Sequence, residues 1–165
     1  MSLKNLDDLF MDVLKDTLDA ERQITKALPK MAKAAESEDL RTAFEDHLSM
    51  TEGQIERLET IFKSMDKAPR GKHCAGMEGL LKEGSELIEK EEAGPARDAA
   101  MICAAQKVEH YEIAAYGSLV TYAKMLEMTD AVDLLVETLE EEKETDENLT
   151  GIASEINLLA EQEAE

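Results

Sequence analysis

Four times along this chain, apolar side chains recur at alternating steps of three and four residues over a long stretch. That step pattern follows the turn of an α-helix, so every member of a stripe falls on one face. The first stripe is Leu6, Phe10, Leu14, Thr17, Glu21, Ile24, Leu28, Met31 and Ala35. The second is Leu40, Phe44, His47 with Leu48, Thr51, Ile55, Leu58, Phe62 and Met65. The third is Ile102, Ala105, Glu109, Glu112, Tyr116, Leu119, Ala123 and Leu126. The fourth is Val132, Leu135, Leu139, Glu142, Asp146, Leu149, Ile152 with Ala153, Ile156 and Leu159. Helices of this length must bury such stripes against one another, which dictates an all-α bundle.

Punctuation along the chain sets the expected boundaries. The spacing predicts helices over 3–35, 39–65, 95–127 and 130–160, with a shorter one over 77–91. Ser37 followed by Glu38 and Asp39 reads as a capped start with acids in the first turn. Residues 67–76, KAPRGKHCAG, form the clearest loop. Ala93-Gly94-Pro95 closes one helix and opens the next, and Thr129-Asp130 caps the last. Pro29 falls inside the first segment, where it should kink the helix or free a carbonyl. The acidic end, residues 161–165, is expected to fray.

Composition agrees with helix and narrows function. Ala, Leu, Glu and Lys dominate, with eight glycines, three prolines, 4% aromatics and no Trp. Eighteen basic residues against 38 acidic ones give a net charge of −20, which excludes a phosphate-backbone binder of nucleic acid and a basic membrane-surface anchor. At 43% hydrophobic, the chain is no disordered acidic tail. No apolar run is long enough to span a membrane, and MSLKNLDD lacks an apolar signal core. Cys74 and Cys103 make no disulfide framework. These features predict one cytoplasmic domain over residues 1–165.

Short connections join the first two long helices and the last two, and about 30 residues join the two hairpins. If the intervening helix makes the return, the bundle runs up-down-down-up with an extra helix in the crossover. An ungapped shift of 91 residues places Glu21 on Glu112, Leu28 on Leu119, Phe44 on Leu135, Leu48 on Leu139, Thr51 on Glu142 and Leu58 on Leu149. A duplicated hairpin is the reading of that repeat.

The anomaly is chemical. Glu21, Glu109, Glu112, Glu142 and Asp146 stand where leucine would serve the stripe, and buried charge is costly unless paired or bound to metal. Glu21 and Glu112 each lie about 15 residues before a hairpin turn, and Thr51 and Glu142 about 13 after one, roughly 20 Å from it. The four therefore meet near the midplane. His47, Glu109 and Asp146 fall one turn away, as a neighbouring level. Oxygen-rich ligands with one imidazole suit iron or manganese. His47 bonded to Glu109 without metal is the alternative.

These duplicated hairpins with central carboxylates resemble the ferritin-like di-metal bundles. The stretches AERQITKALPKM (20–31), HLSMTEGQIERLE (47–59), KVEHYEIAAYGSL (107–119) and TLEEEKETDENL (138–149) more closely resemble the YciF-like stress-response family of bacteria. The resemblance implies a ferritin-like domain and a homodimer, in a family whose biochemical activity is poorly defined. Ferritin-like sites take a glutamate from each of two helices and E-x-x-H from the other two. Glu21 and Glu112 match the single glutamates, but Glu142-x-x-Thr145 lacks the histidine and Thr51-x-x-Gln54 lacks both ligands. These departures favour one ion over a di-iron ferroxidase pair.

The expected ligands are thus Glu21, His47, Glu109, Glu112, Glu142 and Asp146, around one or two ions of iron or manganese with oxygen or peroxide chemistry. The competing expectation is a structural or interaction protein that keeps a degenerate site and no metal. Enzyme activity stays open between them. His73 and Cys74 lack matching ligand partners, and His110 lies beside its stripe. The acidic runs 89–92 and 140–144 read as solvated helix faces. No phosphate loop or activated nucleophile is recognisable.

Overall fold

Local capping fixes where each helix begins in the computed structural model, which describes residues 3–162. Asn5 accepts a hydrogen bond from Asp8 N at 2.8 Å and starts α1, Leu6–Ala34. Ser37 Oγ accepts from Leu40 N at 3.3 Å and starts α2, Glu38–Ser64. Cys74 Sγ accepts from Met77 N and starts α3, Ala75–Lys90. Pro95 occupies the first turn of α4, Pro95–Met125, and α5 spans Thr129–Gln162. Pro29 sits on the exposed face, and α1 runs through it unbroken. Glu161 and Gln162 form the last residues of α5, and residues 163–165 of the acidic end lie outside the described residues. Among the described residues no helix is long and apolar enough to cross a membrane.

Cross-helix contacts define the topology. Met50 meets Thr145, Gln54 meets Glu141 and Arg57 meets Glu137, so α2 and α5 run antiparallel. At one end Ala34 and Glu36 meet Arg97 and Asp98, while further along Asp16 meets Tyr111, so α1 and α4 are antiparallel too. With two antiparallel hairpins, this is the up-down-down-up bundle of the ferritin-like fold. The 91-residue shift maps the hairpin boundaries as well: Ala34 and Glu38 fall on Met125 and Thr129.

The crossover is pinned to α1 before it becomes helical. Lys72 N donates to Lys15 O, Cys74 N donates to Asp19 Oδ2 at 2.8 Å, and Gln23 Nε2 donates to Cys74 O. From there α3 lies across the seam of α1 and α4. The approach is close at Gly76, where a Cβ would meet the Tyr111 ring at 2.8 Å.

The core is two apolar clusters rather than one. Phe10, Leu14, Leu18, Leu58, Phe62, Leu119, Ala123 and Leu135 fill one end. Ile24, Leu28, Leu40, Phe44, Met77, Met101, Ile102 and Ile156 fill the other. Between them lies a buried polar layer: Thr17, Glu21, His47, Thr51, Gln54, Glu109, Glu112, Thr138 and Glu142.

Asp98, 1% exposed, ties the two hairpins together. Its Oδ2 accepts from Ser37 N at 2.7 Å and Glu36 N at 3.1 Å, so α4 serves the amides of the turn that leads into α2. Sequence reading did not single it out. Asp98→Ala is expected to destabilise the protein by about 2 kcal/mol in urea unfolding, because hydrogen bonds from a buried carboxylate to part-buried amides are lost. At the other end Glu127, exposed and with φ 57°, closes α4 as Met128 N bonds back to Ala123 O. Glu127→Gly should raise stability by about 1 kcal/mol in the same assay, since glycine adopts that conformation without steric cost.

Candidate metal centre

Helical register places the central side chains. Glu109 and Glu112 are one turn apart on α4, Glu142 faces them from α5, and His47 enters from α2. One ligand atom from each of these four lies within 4.8 Å of all the others. Glu142 is fully buried, Glu109 and Glu112 are 1% exposed, and His47 is 4% exposed. His47 Nδ1 stands 3.3 Å from Glu109 Oε1, and its Nε2 is 3.9 Å from Glu142 Oε2.

Glu21 joins the same layer from α1 and is fully buried. Its Oε1 accepts the Tyr116 hydroxyl in a short hydrogen bond. Burial and the Glu21 charge hold the Tyr116 hydroxyl well above its ordinary range, so the phenol keeps its proton and donates it. Glu21 stands outside the set of four mutually close ligands but beside it.

Many of these polar atoms have no protein partner. Both oxygens of Glu112, both of Glu142, Glu21 Oε2, Glu109 Oε2 and His47 Nε2 are buried without a hydrogen bond while the carboxyls are ionised; protonated, Glu112 is placed to bond Glu21, and Glu109 to bond Glu142. Such orphans are rare, because each leaves a desolvation cost unanswered. Removal from water pushes every carboxyl up. Glu21 reaches about 8, helped by the Glu142 charge, and Glu142 reaches about 7. Glu109 and Glu112 stand well above the usual carboxylate range, through burial and then neighbouring carboxylates. Burial holds His47 down at about 4, so its ring is neutral. A neutral imidazole among carboxyls able to exchange their protons for a cation is a donor set compatible with metal binding.

Asp146 is placed differently from the expectation. It is half-buried at the α4–α5 surface, where Gln106 Nε2 donates to its Oδ1 at 3.1 Å and His110 Nε2 lies 3.4 Å from Oδ2. One helical turn beyond Glu142, its side chain follows the α5 stripe's edge and is served there. His110 is mostly exposed, as its place beside the stripe implied.

The sequence does not show the burial of Glu141 or the contacts that Gln54, Thr51 and Cys74 make. Glu141 lies in an acidic run that reads as solvent-facing, yet it is half-buried and accepts from Arg57 at 2.6 Å and from Gln54 Nε2 at 3.0 Å. Gln54 occupies the place where the ferritin-like pattern puts a histidine, which was the one available signal. Thr51 donates to His47 O at 2.9 Å, anchoring the backbone of the imidazole. Cys74 is buried, and its Sγ lies 3.1 Å from both Tyr111 Oη and Asp16 Oδ2; burial pushes its thiol up, away from thiolate reactivity.

The sequence matches the family described as a domain of unknown function, DUF892, over residues 5–162. It is 50% identical to protein YciF of Escherichia coli K12, over 99% of this chain and all of that protein. The crystal structure of the E. coli stress protein YciF superposes with a TM-score of 0.90 at 48% identity, covering 93% of this chain and 98% of that one. YcfI from Rhodopseudomonas palustris gives 0.87 at 41% identity, covering 90% and 95%. A Xanthomonas campestris protein with 19% identity and a TM-score of 0.79 shares the fold, over 98% of this chain and all of that one.

The raised carboxyls make metal-free stability depend on pH. A carboxyl whose folded pKa exceeds its unfolded value stabilises the fold at low pH, and that contribution fades as pH rises through the folded pKa. For Glu142 and Glu21 the loss ends near 7 and 8. His47 acts oppositely: its folded value of about 4 gives a contribution present above about 6.5 and lost as pH falls towards 4. Between about 6.5 and 8 only the carboxyls act. The Tm of metal-free protein is therefore expected to rise as pH falls from 8 to 6.5, and Glu21→Gln should flatten the slope. A Tm that falls over that range would mean the carboxyls are ionised in the metal-free fold.

Proposed function

We propose that this chain, which belongs to the DUF892 family, is a stress-response protein that holds an iron or manganese ion in its ferritin-like bundle. The observation that carries this reading is the set of four buried ligand groups, His47, Glu109, Glu112 and Glu142, with most of their polar atoms unpartnered. Oxygen donors with one imidazole suit those metals better than copper or structural zinc. The relation to a protein described as a stress protein supports the physiological setting.

Glu109, Glu112, Glu142 and His47 would hold the ion, with Glu21 beside them. Bound there, iron or manganese would supply redox chemistry with oxygen or peroxide. The chain's own residues prepare the place. Tyr116 fixes Glu21 by donating to it. Glu109 lies against His47 Nδ1, which leaves Nε2 as the ring nitrogen without a partner. The apolar clusters above and below exclude bulk water and raise the electrostatic stakes inside. One ion fits the donor set better than two. Thr51 and Gln54 replace the second ligand pair, and both are engaged in protein hydrogen bonds.

Those same replacements favour a second reading, in which the bundle is a structural or interaction protein with a degenerate site. Thr145, at the place of the missing histidine on α5, is likewise satisfied by Glu141 O at 3.0 Å.

Metal analysis by mass spectrometry on protein purified without tag or chelator separates them. The metal reading expects near-stoichiometric iron or manganese, lost in a His47→Ala/Glu112→Ala double variant. It also expects a higher Tm with metal, since a hundredfold excess over Kd adds about 2.7 kcal/mol of stability by linkage. Failure to take up ferrous ion under anaerobic loading would leave the structural reading.

A further inference from the structure

A groove of about 330 Å³ follows the seam where α3 crosses α1 and α4. Its floor is apolar, from Ala27, Met31, Leu81, Ile88 and Val108. Lys26, Lys30 and Lys82, all exposed, stand on its rim. Glu78 is the one carboxylate lining it, and its Oε2 is 3.2 Å from His73 Nε2. Lys82 Nζ is shared with Glu86, whose Oε1 lies 4.0 Å away, so the basic character of the rim rests on Lys26 and Lys30, in a chain with 18 basic and 38 acidic residues. The groove is thus a local attractor for an anion on a protein whose overall field repels anions. Lysine stems also extend the apolar wall while their ammonium groups reach water.

Depth links the groove to the interior. Ala27, Met31, Leu81 and Val108 line the groove and also line a small cavity of about 10 Å³, whose other side is His47 and Glu109. One layer of side chains therefore separates the groove from the buried cluster. Size decides the class of occupant. The lining runs from Gln23 to Met31 on α1, roughly 12 Å. An apolar floor with a charged rim at this scale suits a small amphiphile.

We propose that this groove binds an alkyl carboxylate of medium chain length, its head among Lys26, Lys30 and Lys82 and its tail along Leu81, Ile88 and Val108. The inference goes beyond the metal reading and stands without it, because the groove is formed by residues outside the buried cluster.

Calorimetric titration of the full chain with decanoate, decanol and decylamine, each below its aggregation concentration, tests the proposal. Decanoate is expected to saturate a single site and to bind more tightly than decylamine. A Lys26→Glu/Lys30→Glu variant should weaken decanoate at least tenfold at low salt and leave decanol nearly unchanged. Leu81→Trp, on the floor, should abolish both. Ser85→Trp should do the same from the exposed rim, where the change leaves the fold intact and the melting curve confirms it. Absence of saturable decanoate binding overturns the proposal. So does decylamine binding as tightly as decanoate, or a folded Ser85→Trp variant that binds decanoate like the parent.

Discussion

The bundle is organised around one electrostatic constraint: four glutamates and a histidine share a layer from which water has been removed. Four ionised carboxylates that close would repel one another strongly at the low dielectric of a core. The layer exists only with its charge neutralised, by protons or by a cation. Everything nearby follows from that. The raised carboxyls, the neutral imidazole and the Tyr116 hydroxyl held on Glu21 are separate answers to the same cost. The apolar core is consequently split into two clusters, each packed as an ordinary helical interior.

The frame that holds this layer is built from polar contacts at its edges. Arg57 and Gln54 on α2 grip Glu141 on α5, one residue before Glu142, and so set the register of that carboxylate against His47. Asp98 binds the amides of the α1–α2 turn and fixes how far α4 slides along α1. With α4 fixed, the level of Glu109 and Glu112 relative to Glu21 is fixed too. The crossover adds a cover on one side only. Cys74 and Gly76 seat α3 against Asp19 and Tyr111, so α3 shields the α1–α4 seam and leaves a groove along it.

Sequence periodicity carried the fold a long way because each helix has a continuous stripe and recognisable punctuation. Ser37, the 67–76 loop and Gly94-Pro95 mark boundaries that fall within a few residues of the observed ones. The depth of Glu21, Glu112 and Glu142 was also legible, since rise per residue converts distance from a turn into height in the bundle. Asp146 shows the limit. A stripe gives a face but not the angular width of that face, and one turn of drift carried Asp146 out to Gln106 and His110. Glu141 shows the converse: inside an acidic run it has no periodic signature, yet Arg57 draws it inward.

The helices, their antiparallel pairing within each hairpin and the presence of carboxylates at the midplane were all readable from the order of residues. They were readable because hydrophobic period and capping are local, and rise along a helix is fixed. Which carboxylates converge with His47, the clasp of Asp98 on the two hairpins and the lysine-rimmed groove beside α3 emerge from the packed fold alone. Those outcomes depend on how helices rotate and slide against one another, and that is set by side-chain packing and hydrogen bonds between residues far apart in the chain.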